Sequence, residues 1–271
     1  MCLQVGLILG RKQRRFPEPD LLLDIFTELL YRSEAGGPHA TGLAILRRDG
    51  RHVLLKRPLP AHRFIDQPAF FAALARFDGQ ATAILGHNRW PTCGSEQNHR
   101  NNHPLRAGRV IGTHNGIITN ADALFRAYGL RRRAEVDSEL LVRLADLAVG
   151  ANGAIEPAAL LRLVAPCRGQ ISAVLAAVGA PGRVLVLKGN KPLDCRYSRR
   201  HRAVAYATEA AVLDDALAAS CRGAHDWQPL VIAPMTMLVF DQDDLFHPAA
   251  YRLRFVARQA QFSDGAAEVA R

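Results

Sequence analysis

Runs of alternating apolar residues stand at both ends of this chain while its middle is helical, and that order restricts the folds open to it. The first run begins almost at the terminus, where Leu3, Val5, Leu7 and Leu9 share one face of a strand. ATGLAIL (40–46) and HVLLK (52–56), on either side of Asp49-Gly50, read as a β-hairpin. ATAILGHNRW (81–90) and RVIGTHNGII (109–118) add two more strands. Three helical stretches follow, ADALFRAYG, DSELLVRLADLAVG and PAALLRLVAP. Strands then return at 171–180, 183–189, 203–209 and 236–243, with a helix AAVLDDALAAS between the last two. This order lacks the βαβα alternation of a doubly wound sheet, and no Gly-rich phosphate loop follows any strand.

Two further helices are expected in the first third. Pro17-Glu18-Pro19-Asp20 starts one whose buried face is Leu22, Ile25, Phe26, Leu29 and Leu30, ended by Gly36-Gly37. QPAFFAALARF (67–77) reads as a short amphipathic second. Between the strands at 81–90 and 109–118 lies PTCGSEQNHRNNHPLRAG. An irregular loop of that length inside a folded domain is usually either functional or mobile.

Composition excludes several classes. With 49% hydrophobic and 22% charged residues, the chain is too apolar for disorder. No apolar run reaches the ~20 residues of a membrane span, and the terminal apolar stretch precedes the basic cluster RKQRR, the reverse of a secretory signal. A cytoplasmic protein without membrane contact is therefore expected. Five scattered cysteines, Cys2, Cys93, Cys167, Cys195 and Cys221, form no C-x-x-C pair and argue against a disulfide framework or a zinc site. His87, His99, His103 and His114 lack metal-ligand spacing, so no metal or cofactor is expected. The net charge of +10 is carried by basic residues spread along the chain, with short clusters at RKQRR, RRR (131–133) and RRHR (199–202). It reads as a solvated Arg-rich surface; no nucleic-acid motif accompanies it.

Cys2 is the residue with the most chemistry. Loss of Met1 would place a thiol and a free α-amine on one residue, and that amine, with a reference pKa of about 7.7–8.0, is partly neutral near pH 7. A nucleophile and its general base would then share one position. The alternative is an ordinary core thiol.

Four motifs follow Cys2 in order: GHNRWPTCG (86–94), NHP (102–104), THNGIITN (113–120) and VDSE (136–139). Together with ATGLAI (40–45) they resemble the class II glutamine amidotransferases, and the pattern is most similar to the glutaminase domain of glucosamine-6-phosphate synthase. The resemblance extends to about residue 210, through KGNKPL and AYATEAAVL. It implies an α+β fold of four layers, αββα, with two mainly antiparallel sheets between helical layers, over residues 2–257. Residues 258–271 are expected to be a flexible tail.

The resemblance also implies roles. Cys2 would attack the side-chain amide of L-glutamine, releasing ammonia and leaving a thioester. Asn115 and Gly116 would form the oxyanion hole, through a side-chain amide and a backbone N–H. Arg89 would hold the substrate α-carboxylate with its guanidinium fork, lined by Trp90 and Thr92, and Asp137 would pair with the α-ammonium. Asp137 is also expected to cap the helix DSELLVRL, and His103 to order the loop over the substrate. Leu3-Gln4 replaces the family's Gly-Ile, Pro91 a small residue, and Cys93 a common histidine. About sixty residues beyond 210 are too few for an acceptor core. The expectation is thus a stand-alone glutaminase that supplies ammonia to a separate synthetase subunit. The alternatives are an amide or γ-glutamyl hydrolase that passes no ammonia on, and a catalytically silent regulatory subunit.

Overall fold

The structure, a computed structural model, describes residues 2–220 and 226–257. The expected tail at 258–271 and Cys221 lie outside the described residues. In chain order, strand β1 (Leu3–Leu9) leads into helix α1 (Glu18–Arg32), then β2 (Ala40–Arg47), β3 (His52–Arg57), α2 (Ala61–Ile65), α3 (Pro68–Leu74) and β4 (Ala81–Arg89). The middle comprises β5 (Leu105–Ala107), β6 (Val110–Ile118), α4 (Ala121–Ala127), α5 (Ser138–Leu147) and α6 (Pro157–Val164). The rest is β7 (Arg168–Ala177), β8 (Arg183–Lys188), β9 (Asp194–Ser198), β10 (Ala203–Ala207), α7 (Ala210–Ser220), β11 (Gln228–Leu230), β12 (Thr236–Asp241), β13 (Ala249–Arg252) and β14 (Val256–Ala257).

The strands form two sheets. One runs β11-β9-β10-β1-β4-β2-β3, the other β13-β12-β8-β7-β6-β5, with β14 pairing β7 in parallel. Every other pairing within the sheets is antiparallel. The period-two pattern of β1 explains the layering. Val5, Leu7 and Leu9 pack with Leu22, Ile25, Phe26, Leu29 and Leu30 of α1. Ile8, on the opposite face, joins Ile111, Val174, Val186 and Phe240 of the second sheet. The outer face of that second sheet buries Leu140, Leu141 and Leu144 of α5 and Leu160 of α6. The result is helices, sheet, sheet, helices. Each fully buried Leu, Ile or Phe contributes roughly 1.5–3 kcal/mol, so these three clusters hold the layers in register.

Several elements depart from the sequence reading. Strands β5, β9, β11, β13 and β14 were not expected. They are two to five residues long, and β13 and β14 are exposed along their length, so no apolar alternation announces them. The helix read over 67–77 stops at Leu74, and α2 precedes it. Asp137 stands at the N-cap of α5 but makes no side-chain capping bond there. No helix among the described residues is long and apolar enough to cross a membrane.

Candidate active site

Cys2 lies just before β1, and the antiparallel pairing of β1 with β4 sets Leu3 opposite Asn88. The nucleophile candidate therefore sits beside the end of β4, where Arg89 and Trp90 follow. Backbone holds the thiol in place. Trp90 N–H donates to Cys2 Sγ at 3.1 Å, and the thiol donates to Trp90 O, also at 3.1 Å. Burial pushes the Cys2 thiol up from its ordinary pKa, with the Trp90 amide and then the Arg89 guanidinium pulling the other way.

The second sheet supplies the facing wall. The HNG segment lies inside β6 rather than in a turn, with Asn115 opposite Ser172 and Gly116 opposite Ile171 of β7. Gly116 adopts φ +136°, and a Cβ there would come within 2.0 Å of Gln170 O, so only glycine fits. Asn115 is buried, its Nδ2 donating to Thr208 Oγ1 at 2.7 Å. Its Oδ1 has no hydrogen-bond partner among the described residues, although the buried ring of His87 faces the carboxamide.

Arg89 is 2% exposed and pairs with no carboxylate among the described residues. Its fork is held by neutral acceptors: Nη1 donates to Asn102 Oδ1 at 2.8 Å, and Nη2 to Cys93 O at 2.6 Å and Gly94 O at 2.8 Å. Burial lowers its pKa. A buried guanidinium whose direct hydrogen-bond partners are all neutral favours an anionic ligand. The long polar loop exists to make this arrangement, because its carbonyls and Asn102 are the acceptors. Asp137 is turned the same way toward the interior: its Oδ2 accepts the Ile118 N–H at 2.5 Å, which is why it is not spent on capping α5.

Beneath this lies a floor of imidazoles. His87 and His103 are buried and stacked 4.2 Å apart, with the His87 ring against the His114 backbone and the Asn115 side chain. His103 is thus buried in the wall of the cavity. Its place is fixed from below, since a Cβ on Gly42 of β2 would reach within 2.2 Å of His103 O. Burial lowers the pKa of His87 to about 3 and that of His103 well below its ordinary value. His114 bonds through Nδ1 with Ser138 Oγ at 2.8 Å. Burial lowers the pKa of His114 as well, against the raising effect of Asp137.

One cavity of about 490 Å3 unites these groups, lined by Cys2, Arg89, Trp90, Thr92, His103, Asn115, Gly116 and Asp137, with Pro91, Gln170 and Lys191 among the others. Cys93 lines the adjoining groove instead, its thiol donating to Glu135 O at 3.3 Å. Two residues in the shell around the cavity were not singled out from sequence as site residues. Gln4 is buried and bridges the sheets, its Nε2 donating to Ser172 Oγ at 2.8 Å and its Oε1 accepting from Thr113 Oγ1 at 2.8 Å. Thr208 Oγ1 accepts both Asn115 Nδ2 and Gln4 N–H, at 2.7 and 2.9 Å. The polar Gln4 in an otherwise apolar strand was the signal for the first; Thr208 left none, being separated from Asn115 by 93 positions.

Known proteins share this architecture. The glutamine phosphoribosylpyrophosphate amidotransferase of B. subtilis superposes with a TM-score of 0.65 at 15% identity, covering 93% of this chain and 49% of that one. A structure titled as the allosteric regulatory enzyme of purine biosynthesis gives 0.66 at 16% identity, with 92% and 49% covered. At that identity the likeness is one of fold, the αββα N-terminal-nucleophile sandwich. Sequence adds to it. The glutamine–fructose-6-phosphate aminotransferase (isomerizing) of Mycolicibacterium smegmatis is 30% identical over 203 residues, 71% of this chain. The chain is a relative of the class II glutamine amidotransferases. The Escherichia coli K12 aminotransferase of the same name is 29% identical over 196 residues. The chain spans about 30% of the length of these curated relatives. No family model matches it.

Proposed function

We propose that this class II amidotransferase relative is a glutaminase, which hydrolyses the side-chain amide of L-glutamine through Cys2 and supplies the ammonia to an acceptor site on a separate subunit. The observation that carries the reading is the shared cavity. A thiol, a buried guanidinium without a carboxylate and an inward-facing carboxylate stand around one space, the arrangement a free amino acid requires.

In this mechanism Arg89 takes the α-carboxylate and Asp137 the α-ammonium, so the length of the glutamine side chain sets its amide carbon at Cys2 Sγ. Loss of Met1 frees the Cys2 amine as the general base. Because burial disfavours a standing thiolate, the thiol gives its proton to the amine as the S–C bond forms. The developing oxyanion is held by the Gly116 N–H and by Asn115 Nδ2, which exchanges Thr208 Oγ1 for the stronger, charged acceptor. The amine returns the proton to the leaving nitrogen, the C–N bond breaks and ammonia departs. Water then cleaves the thioester by the same route, yielding glutamate. A thiol that must stay reduced suits a cytoplasmic setting.

The curated relatives are named for an aminotransferase acting on fructose-6-phosphate, and the chain spans about 30% of them. That supports placing the acceptor chemistry outside these 271 residues. The test is intact mass of the purified protein together with glutamate release by the wild type and Cys2→Ala. Loss of the mass of methionine and Cys2-dependent glutamate release are expected. Active protein that retains Met1, or undiminished release by Cys2→Ala, overturns the mechanism.

A further inference from the structure

The basic charge of this chain is not evenly used. RKQRR and RRHR meet at one end of the first sheet, where three of their seven cations pair with carboxylates. Arg11 pairs with Asp243 at 2.6 Å, Lys12 with Glu18 at 2.7 Å and Arg200 with Asp226 at 2.9 Å. Arg14 donates to the carbonyls of Gly10, His201 and Arg202. Those charges fasten β1 to the strand connections around it.

The third cluster behaves differently. Arg131, Arg132 and Arg133 precede α5 and converge with Arg100, Arg106 and Lys56 around a cleft of about 550 Å3. Arg132 is engaged by Asp122 and Glu135 O, and Arg106 by His52 and Gly108 O. The side chains of Arg100, Arg131 and Arg133 have no hydrogen-bonding or ionic partner among the described residues. The only acid lining the cleft, Glu139, is committed elsewhere. Its Oε1 binds Arg143 at 2.7 Å, and its Oε2 accepts the amides of Arg133 and Ala134 at 2.8 and 2.6 Å. Glu139 therefore fixes the arginine segment in place without neutralising it. Lys56 points into the same region, its Nζ donating to Asn102 O at 2.8 Å. Burial and then Arg89 push its pKa down to about 8.

Like charges crowded around a concave, partly apolar surface repel one another and focus a positive potential into the cleft. Leu54 and Leu105 contribute apolar wall. The volume is that of a small-molecule site, roughly 300–1,000 Å3, and no aromatic side chain lines it as a stacking platform for a single-stranded nucleic acid. Guanidinium forks match phosphate oxygens in geometry as well as charge. We infer that this cleft binds a phosphorylated small molecule carrying at least two negative charges, held by Arg100, Arg131 and Arg133 and shielded from solvent on its apolar side. The site is separate from the Cys2 cavity and does not depend on the glutaminase reading.

Isothermal titration calorimetry on the full chain tests this with three probes: inorganic tripolyphosphate, a sugar phosphate and a nucleoside triphosphate. Sodium sulfate is the control at matched ionic strength. One saturable site per chain is expected for tripolyphosphate and for at least one organic phosphate, and the organic phosphate that binds identifies the ligand class. The pair Arg131→Ser with Arg133→Ser should weaken binding at least tenfold, whereas Arg11→Ser with Arg200→Ser should leave it unchanged. Arg100→Ser, on an exposed loop, gives the same reading should the double variant fail to fold. Several weak sites per chain, equal displacement by sulfate, absence of binding by both organic phosphates, or equal loss in the control pair overturns the proposal. An acidic protein that binds the cleft where no phosphate does overturns it too.

Discussion

The Cys2 cavity and the arginine cleft lie on either side of the loop that carries Asn101 and Asn102, yet they handle charge in opposite ways. In the cavity, charges are few, and Arg89 is buried while Asp137 and Lys191 are half-buried. Arg89 is held by three neutral acceptors and Asp137 by a backbone amide, while the histidines below are uncharged. In the cleft, cations are many and mostly exposed, and three have no acceptor among the described residues. Fixed dipoles around a single buried charge select a ligand by shape, because a misplaced group leaves that charge unpaired. A crowd of solvated guanidiniums selects by charge and tolerates many shapes.

Acid should separate the two regions most strongly. His87 is neutral in the fold with a pKa of about 3, against a reference near 6.5, so the unfolded chain binds the proton first. The stability it contributes is full above pH 6.5 and is lost as pH falls toward 3, on the order of 5 kcal/mol over the whole window. Urea midpoints measured across that range should fall, and fall less steeply in His87→Gln. An unchanged slope would mean that the imidazole floor is not what senses acid.

Smaller but more specific is the loss expected at the oxyanion position. Asn115→Ala should lower kcat by about 100- to 1,000-fold with KM for glutamine little changed. A change confined to KM would assign Asn115 to ground-state binding instead. Next comes Arg89→Lys, which keeps the charge but loses the fork. KM should rise roughly tenfold to a hundredfold with a lesser change in kcat. Equal KM values would place the carboxylate elsewhere in the cavity. Least of all, Arg131→Ser with Arg133→Ser should leave steady-state glutamine turnover within about twofold, since neither side chain lines the cavity. A large loss there would join the two regions into one functional unit.

Much of the cavity was legible in the residues because its parts are local. GHNRWPTCG carries a strand end and its following loop, HNG a strand interior, and VDSE a helix start. Other parts were not legible. The capping role expected of Asp137 failed because Ile118 N–H, 19 positions away, competes for the same carboxylate. His103, expected to order the loop over the substrate, is buried between Gly42 of β2 and the His87 ring of β4, a placement set by two different strands. Gln4 looked like a departure at a crowded terminus, yet its amide ties the two sheets together through Ser172 and Thr113. The short outer strands carry too few buried side chains to leave a periodic trace.

The layered character of the fold came from the family resemblance its motifs carry, while sequence alone determined the identity of the chemical groups and the buried faces of the regular elements. Alternation in β1 assigns its two faces, and helix periodicity assigns α1 and α5, because burial acts residue by residue along a regular element. Only the tertiary structure decided what those groups face. It left Arg89 among carbonyls rather than carboxylates, coupled Asn115 to Thr208, and gathered arginines from separate segments around one cleft. Those outcomes depend on register between distant strands, and electrostatic environment is a property of the neighbours in space rather than of the neighbours in the chain.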